Sequence, residues 1–450
     1  MDGSVVKYLG ERIPRYTSYP TAPHFSAAVG ATSYRSWLSA LPDEARLSLY
    51  LHVPFCRQMC WYCGCHTSVV NSYEPVAHYR DLLLREIDLV AAELPAVHPV
   101  ADVQWGGGTP TILTPDDFAA VCERLRVRFA FSPATAMSVE IDPRGLTREM
   151  AAALARNGAT RASLGVQDFD PEVQRAINRI QSFDATERAV DWLRAEGIGD
   201  VAIDLIYGLP HQSLDSIVAT VDAVMALEPQ QVALFGYAHV PWMKRHQRLI
   251  DERALPETPA RWALYWAAAG RLAGHGMVAV GLDHFAAAGS ALAEAAAAHK
   301  LQRNFQGYTT SAAPSILGFG ASAIGTLPQG YAQNAAKTSD YRAAISAGRL
   351  ATARGMRIDD DDRLRRDVIA ALMCGLEADV AAICSAHGYE ETALDRELAA
   401  LSPFAADGIG AVAGRTVTVE ANARPFVRSV CTAFDAYWTA GAEQRHAKAV

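Results

Sequence analysis

The feature that most limits the possible folds is a repeated alternation of strand and helix patterns between residues 47 and 281. Short β-rich runs are each followed by a helical pattern, which is typical of βαβ units around a parallel sheet. The six main predicted strands are Leu47–Val53, Ala101–Trp105, Ala136–Ile141, Arg161–Val166, Asp200–Tyr207 and Gln231–His239. A further short strand is expected at Met277–Gly281. The sequence therefore predicts an α/β fold with six strand–helix repeats and a parallel sheet, and it does not support a closed barrel of eight strands.

Three further segments flank these strand–helix repeats of residues 47–281. Residues 1–46 lack sustained periodicity and are expected to form an N-terminal arm. Residues 282–354 are expected to be closing loops and a connecting segment, and residues 355–450 a helical C-terminal domain with a small hairpin at Val412–Val419. Four consecutive aspartates, 359–362, favour an acidic helix start over a metal site, because negative charge stabilises a helix N-terminus.

Candidate site residues occur where the predicted strands end. Parallel sheets bind ligands at the carboxyl ends of their strands. Residues at or near these ends are Cys56, Gly107, Glu140, Gln167, Asp204 and Ala238. Chance would distribute polar residues equally over both ends, so the pattern predicts one shared site. Burying Asp204 without a partner would be costly, and a contact with a ligand or a basic group is therefore expected.

Four of the chain's eight cysteines lie within residues 56–65, in the sequence CRQMCWYCGC. A zinc site would normally need a second cysteine or histidine pair, and a redox dithiol needs only two cysteines. The CxxxCxxC spacing of Cys56, Cys60 and Cys63 instead predicts three ligands to a 4Fe-4S cluster. Cys65 could supply a fourth ligand, as in a ferredoxin, although its spacing from Cys63 makes simultaneous ligation awkward.

This cysteine spacing resembles the signature of the radical S-adenosylmethionine enzymes. The resemblance implies a fourth iron that stays open and chelates the amino and carboxylate groups of S-adenosylmethionine. An electron passed through that iron would split the sulfonium into methionine and a 5′-deoxyadenosyl radical. Such a radical can remove hydrogen from an unactivated carbon.

Charge and hydropathy argue against several other classes of protein. The net charge of −8 is unlike that of a nucleic-acid-binding protein, which would normally carry a basic face. The N-terminus has no apolar core of signal-peptide length, and the longest apolar stretch, Met277–Ala298, is interrupted by charged residues, so no membrane span is expected. A cytoplasmic location follows as an expectation. The cysteines expected to be buried free thiols there are Cys122, Cys374, Cys384 and Cys431.

Further motifs extend the resemblance over most of the chain. They are PRYTSYPTA at 14–22, GGGTPT at 106–111, EIDPR at 140–144, GVQDF at 165–169, DLIYGLP at 204–210, LDHFA at 282–286 and RNFQGYTT at 303–310. Together with the cysteine motif, they make the chain similar to the oxygen-independent coproporphyrinogen III oxidases of haem biosynthesis. The resemblance implies a six-repeat partial barrel with a helical C-terminal domain. It also implies that Cys56, Cys60 and Cys63 hold the cluster, that Cys65 does not, and that two S-adenosylmethionine molecules bind.

The same resemblance implies the positions that contact S-adenosylmethionine. Their chemistry is suitable: glycine backbone for the methionine end, carboxylates for ribose hydroxyls, a guanidinium for the carboxylate and an aromatic ring beside the adenine. The positions are Tyr50, Tyr62, Gly107, Gly108, Thr109, Glu140, Gln167, Arg179, Asp204, Ala238 and Ile324.

The implied reaction is oxidative decarboxylation of two propionates of coproporphyrinogen III, which gives the vinyl groups of protoporphyrinogen IX. The reaction needs an electron donor, such as flavodoxin or ferredoxin, and an electron acceptor of unknown identity. The protein is expected to be a monomer that binds neither nucleic acid nor membrane. A substrate with four carboxylates needs cations in an acidic protein. The candidate substrate contacts are Arg15, Tyr16, Tyr19, Arg303 and Tyr308.

Three other interpretations fit part of the sequence. A haem chaperone of the same superfamily usually has phenylalanine in place of the last cysteine and lacks the PRYTSYPT arm, whereas this chain has Cys65 and the arm. A radical enzyme that modifies haem itself is disfavoured by RNFQGYTT and the arm. A ferredoxin-like electron carrier would need Cys65 as a ligand and leaves the barrel unexplained.

Overall fold

A twelve-stranded sheet forms the centre of the protein, whose computed structural model describes residues 6–439. The first eight strands, numbered along the chain, are β1 (Leu47–Val53), β2 (Phe55–Cys56), β3 (Ser68–Val69), β4 (Val100–Gly107), β5 (Ala136–Ile141), β6 (Arg161–Gln167), β7 (Asp200–Tyr207) and β8 (Gln231–Gly236). Strands β1, β4, β5, β6, β7 and β8 lie side by side and parallel. All six main predicted strands are therefore present.

The apolar runs explain why these strands are central. Six of the seven residues of β1 are buried, as are six of the eight residues of β7, which is typical of parallel strands covered on both faces. Strand β8 ends at Gly236, so the predicted continuation to His239 is wrong. Beyond it, the Tyr237 N–H donates to the Tyr207 carbonyl, and the chain turns away from the sheet.

Residues 282–354 differ from the expected closing loops because they supply strands to the same sheet. At one edge, β13 pairs in parallel with β1, and β14, β15 and β16 then continue the sheet in antiparallel order. At the opposite edge, β10 pairs antiparallel with β8, and β9 pairs antiparallel with β10. These strands are β9 (Met277–Val280), β10 (His284–Ala287), β13 (Ser315–Phe319), β14 (Ile324–Leu327), β15 (Gly330–Asn334) and β16 (Thr352–Arg357). Strands β11 (Gln302–Asn304) and β12 (Gly307–Thr309) form a separate antiparallel pair. The fully buried β13 and β15 account for the difference, because both are too short to give a clear periodic signal.

Helices cover the sheet, and successive helices contact one another along the outer layer. Those before residue 300 are α1 (Val6–Leu9), α2 (Ala31–Ser39), α3 (Glu74–Ala92), α4 (Pro115–Arg128), α5 (Arg148–Arg156), α6 (Pro171–Ala176), α7 (Phe183–Ala195), α8 (Leu214–Ala226), α9 (Thr258–Gly274) and α10 (Ala291–Ala297). The face of α3 that points inward includes Glu86, whose carboxylate accepts hydrogen bonds from the Gly320 N–H, Asn334 Nδ2 and the Tyr341 hydroxyl. This network joins α3 to the β13–β15 side of the sheet.

The C-terminal part of the described chain is mainly helical. It contains α11 (Thr338–Ser346), α12 (Asp360–Gly375), β17 (Glu377–Asp379), α13 (Val380–Ala386), α14 (Asp395–Ala399), α15 (Ser402–Ala406), β18 (Gly410–Ala413), β19 (Thr416–Val419) and α16 (Val427–Cys431). Asp359 caps α12 in a reciprocal pair with Asp362, so the predicted acidic helix start is confirmed. The predicted hairpin is β18–β19, and β17 adds a third strand to it.

The N-terminal segment with the PRYTSYPT sequence is not a loose surface arm. Tyr16 and Tyr19 are 4% and 2% exposed. The Tyr16 hydroxyl donates to Asp435 Oδ2 at 3.0 Å, and the Ala436 N–H donates to the Tyr19 hydroxyl at 2.9 Å. The arm is thus fixed to residues near the other end of the described chain.

No helix within residues 6–439 is long and apolar enough to cross a membrane. All eight cysteines are free; Cys122, Cys384 and Cys431 are buried as expected, whereas Cys374 is only partly buried.

Candidate active site

A cavity of about 610 Å³ opens at the carboxyl ends of the parallel strands. Residues far apart in sequence meet there, as the strand-end pattern predicts. The predicted site residues among its lining are Arg15, Tyr16, Cys56, Cys60, Tyr62, Cys63, Gly107, Gly108, Thr109, Glu140, Gln167, Arg179, Asp204 and Ala238.

The cysteine loop follows β1 directly and is held on both sides. The Thr67 hydroxyl donates to Cys56 Sγ at 3.3 Å, and Thr109 Oγ1 lies 3.5 Å from the same sulfur. The Cys65 N–H donates to Cys63 Sγ at 3.4 Å.

A segment after β8 fixes the backbone of the same loop. Gln247 Nε2 donates to the Tyr62 carbonyl at 2.9 Å, and Lys244 Nζ donates to the Cys65 carbonyl at 2.8 Å. His246 Nε2 lies 2.7 Å from the Cys63 carbonyl oxygen. The loop geometry is thus set by side chains about 180 residues away, such as that of Lys244.

Two guanidinium groups converge on Cys60. Arg144 Nη2 and Arg179 Nη1 lie 3.5 and 3.4 Å from its sulfur. Asp142 orients both arginines, with a bidentate contact to Arg144 and an ion pair of 3.4 Å with Arg179. Positive charge beside a sulfur stabilises the thiolate that binds metal. The sequence analysis missed Asp142 and Arg144 as site residues, although the motif EIDPR that contains them was a usable signal.

The thiols do not form a site for one metal ion. Within the described part of the chain, no three His, Cys, Asp or Glu side chains are grouped to hold a single ion. Cluster ligands instead bind separate irons of one cube, so their sulfurs need not converge on a point. Cys56, Cys60 and Cys63 line one cavity and have hydroxyl or guanidinium donors at two of the three sulfurs, which fits a cluster held by three cysteines.

The glycines at the end of β4 line the cavity, and close packing around them also leaves no room for a side chain. Gly107 has a φ of +118°, and a Cβ there would lie 2.9 Å from the His52 ring. A Cβ on Gly108 would lie 2.5 Å from the Phe55 carbonyl oxygen. The Gly107 N–H donates to Glu140 Oε2 at 3.1 Å, so this strand end also positions a carboxylate.

Two carboxylates face the cavity from β5 and β7, the strands on either side of β6. Burial and the charge of Asp204 raise the pKa of Glu140 to about 7, against the effect of the Gly107 N–H. Burial also raises the pKa of Asp204, whose Oδ1 accepts a hydrogen bond from the Ser163 hydroxyl at 3.3 Å. Groups of this kind are suited to accept hydrogen bonds from a ligand's hydroxyl or amino groups.

Two further side chains are aimed at the cavity by local structure. Gln167 has a φ of +75° beside a β-bulge in β6, which redirects its side chain. Arg179 Nη2 donates to the Gly165 carbonyl, while its buried Nε has no hydrogen-bond partner. An unpaired guanidinium N–H at this position is suited to bind a ligand carboxylate.

Tyr50 and Ile324 are not among the cavity-lining residues. The Tyr50 hydroxyl is hydrogen-bonded to His52 Nδ1 at 2.9 Å. Ile324 packs against the apolar cluster formed by Phe25, Tyr331 and Ile358. The structure therefore does not bring these two predicted positions to the cavity wall, and their contact with S-adenosylmethionine stays a prediction.

The remaining candidate substrate contacts, Tyr19, Tyr308 and Arg303, lie outside the main cavity. Tyr19 is held by the C-terminal region, and the buried Tyr308 hydroxyl accepts from the Leu282 N–H and donates to the Met373 carbonyl, both at 2.7 Å. Neither lines the main cavity. Arg303 lies in an adjoining pocket, over the Tyr308 ring at 4.6 Å.

Comparison with known proteins agrees with this geometry. Residues 50–224 match the model of the Radical SAM superfamily. An oxygen-independent coproporphyrinogen III oxidase from Bradyrhizobium diazoefficiens is 50% identical over 445 residues, which cover 99% of each chain. The chain belongs to the oxygen-independent coproporphyrinogen III oxidase family.

Other members of this family agree in sequence and fold. The oxidase of the same description from Paracoccus denitrificans is 43% identical over 426 residues, covering 95% of this chain and 94% of that protein. The solved structure of coproporphyrinogen III oxidase from Escherichia coli, described as a radical SAM enzyme, superimposes with a TM-score of 0.90 at 35% identity, covering 95% of this chain and all of that one. The α/β radical-enzyme fold is thereby confirmed, and a 4Fe-4S cluster and S-adenosylmethionine are this oxidase family's cofactors.

Proposed function

We propose that this protein converts two propionates of coproporphyrinogen III to vinyl groups, giving protoporphyrinogen IX in anaerobic haem biosynthesis. The observation that carries the proposal is one cavity that joins the proposed cluster cysteines, two partly buried carboxylates and Arg15 of the N-terminal arm. The family's curated members are named for this substrate.

We propose that Cys56, Cys60 and Cys63 hold one 4Fe-4S cluster and that Cys65 stays unligated. Two S-adenosylmethionine molecules would bind at the strand ends beside it. When bound, these cofactors supply a 5′-deoxyadenosyl radical that takes a hydrogen atom from the substrate. The protein's own groups bind, orient and shield the reactants.

The cavity residues have separate roles in this proposal. Arg144 and Arg179 place positive charge at the Cys60 sulfur. Glu140 and Asp204 accept hydrogen bonds from hydroxyl groups of S-adenosylmethionine, and the unpaired Nε of Arg179 donates to a carboxylate. Tyr62 contributes an aromatic face, since it packs beside the cavity against a small apolar cluster.

Each decarboxylation loses one hydrogen atom from the β-carbon, one molecule of carbon dioxide and one electron. The hydrogen atom goes to the deoxyadenosyl radical, and the electron goes to an external acceptor. A reduced carrier such as flavodoxin or ferredoxin would supply the electrons that start each cycle. We further propose a monomer that works in the cytoplasm, in line with eight free cysteines.

Anaerobic turnover tests the proposal directly. The reconstituted protein is incubated with coproporphyrinogen III, S-adenosylmethionine and a reductant. Vinyl product, 5′-deoxyadenosine and methionine should form together. Cys60→Ser should abolish all three, whereas the matched variant Cys122→Ala, at a buried thiol outside the motif, should retain them.

The same experiment separates the alternative functions. Tight haem binding without turnover would contradict the proposal and favour a haem chaperone. Consumption of haem rather than coproporphyrinogen III would favour a haem-modifying radical enzyme. The PRYTSYPT arm favours the oxidase over the haem chaperone, which usually lacks this arm.

A further inference from the structure

A second pocket, of about 370 Å³, adjoins the main cavity. The two share Arg15, Thr17, Cys65 and the chain from Phe235 to Ala238 among their lining residues. The charged residues that line this second pocket are Arg15, Arg261, Arg303, Arg428 and Asp283. We call it the arginine pocket.

The arginine pocket is rich in positively charged side chains. Four arginines and one carboxylate are among its described lining residues. That carboxylate is already engaged, since Asp283 Oδ1 lies 2.8 Å from His284 Nδ1 and 3.9 Å from Arg303 Nη1. Burial would raise the pKa of Asp283, but His284 and the charges of Arg303 and Arg15 lower it to about 2.

Desolvation lowers the pKa values of three of these arginines, whereas the charges of Tyr308 and Asp283 outweigh desolvation and raise the pKa of Arg303. Burial, followed by the charge of Arg15, lowers the pKa of Arg428 to about 10. Desolvation by the surrounding protein also lowers the pKa values of Arg15, whose side chain faces the cavity space, and of the buried Arg261. Arg303 is buried, and its Nε has no hydrogen-bond partner. A bound anion would satisfy this donor and offset the mutual repulsion of the guanidinium groups.

Resting on the function proposed above, we propose that the arginine pocket binds the two propionates of the tetrapyrrole that the reaction leaves in place. Arginine contacts stabilise a carboxylate, and a carboxylate that leaves as carbon dioxide must lose its charge. Tight ion pairing would therefore stabilise the ground state and raise the barrier for a reacting propionate.

The reacting propionates then belong in the main cavity. It contains the cluster cysteines and the strand-end carboxylates, whereas none of Cys56, Cys60 and Cys63 lines the arginine pocket. Arg15 lines both spaces, and its side chain is exposed to them. One tetrapyrrole would thus lie across the shared wall, with its retained carboxylates among the arginines and its reacting side facing the cofactors.

Porphyrin binding distinguishes retained from reacting propionates. The probes are coproporphyrin III, which has both pairs, protoporphyrin IX, which has only the retained pair, and coproporphyrin tetramethyl ester, which has no free carboxylate. Each is titrated by fluorescence into the anaerobic holoenzyme with S-adenosylmethionine. The variants are Arg303→Gln and Arg15→Gln, and the matched control is Arg342→Gln on the exposed surface of α11.

Both pocket variants should weaken binding of coproporphyrin III and of protoporphyrin IX by the same factor, about tenfold. Binding of the tetramethyl ester should not depend on the variant, and Arg342→Gln should bind as the wild type does. Unchanged binding in both pocket variants would refute the inference. Weakening for coproporphyrin III alone would also refute it, since the pocket would then hold the reacting pair.

Two control measurements separate a folding defect in the variants from a loss of porphyrin binding. Iron content per chain and cleavage of S-adenosylmethionine without substrate should match the wild type in each variant. If Arg303→Gln fails this control, Arg15→Gln carries the test, because its side chain is exposed. A wild type that binds both porphyrins through the pocket but shows no turnover would contradict the proposed function alone. Normal turnover with unaltered binding in the variants would contradict the pocket assignment alone.

Discussion

Binding of S-adenosylmethionine should strengthen as the pH rises from about 6 to about 8, because ionised Glu140 is the stronger hydrogen-bond acceptor and attracts the positively charged cofactor. Burial, together with the charge of Asp204, raises the pKa of Glu140 to about 7. Below that pH most molecules carry a protonated Glu140, which attracts the positively charged cofactor less. Binding should therefore release a proton from this carboxyl group.

The size of the effect follows from the pKa. If only the ionised form binds, the apparent Kd is multiplied by one plus ten to the power of pKa minus pH. With a pKa of about 7, this factor is about 11 at pH 6 and about 1.1 at pH 8. The affinity should thus change about tenfold, which corresponds to about 1.4 kcal/mol.

Calorimetric titration of the anaerobic protein with S-adenosylmethionine at several pH values measures both the affinity and the released proton. Glu140→Gln should bind more weakly at pH 8 and lose most of the pH dependence. Any dependence that remains in the variant would report on Asp204, whose pKa burial also raises. The exposed Glu149→Gln serves as the charge-matched control. A pH profile that is the same in wild type and Glu140→Gln would refute the reasoning.

Three further predictions concern the site and the frame that supports it. Gly107→Ala should lower the free energy of unfolding by about 1–3 kcal/mol, because its φ of +118° is strained for alanine; chemical denaturation measures this. Cys65→Ser should keep the iron content of the wild type, whereas Cys60→Ser should lose it. Tyr341→Phe removes a donor from buried Glu86 and should cost about 1–3 kcal/mol of stability.

The central strands could be predicted because each carries a long apolar run between turn residues, and the site followed from the residues at their ends. The pairing of β13 with β1 could not, because it joins Leu47 to Ser315 and nothing local to either segment marks the other. Arg261 was missed for a related reason. It lies within the apolar helix α9, and its contact of 2.9 Å with the Tyr237 carbonyl exists only once that helix packs beside the strand ends.

The packing of the N-terminal arm also could not be predicted from its own sequence. The cationic and aromatic composition of residues 14–21, together with their two prolines, favoured a surface segment. In the structure, Tyr16 and Tyr19 are fixed by Asp435 and Ala436, more than 400 residues away. A sequence pattern indicates periodicity within a segment, but it contains no information about which distant segment will cover it.

The proposed site is divided between the superfamily domain and the segments outside it. The superfamily match covers residues 50–224, which include the proposed cluster cysteines, Glu140, Arg179 and Asp204. The cations of the arginine pocket all lie outside that range, on the arm, on α9, on β11 and on α16. In this proposal, generation of the radical and recognition of the carboxylates thus depend on different segments, which meet at the wall shared by the two cavities. In the proposed arrangement, changes to the outer segments alter the substrate and leave the cofactor chemistry intact.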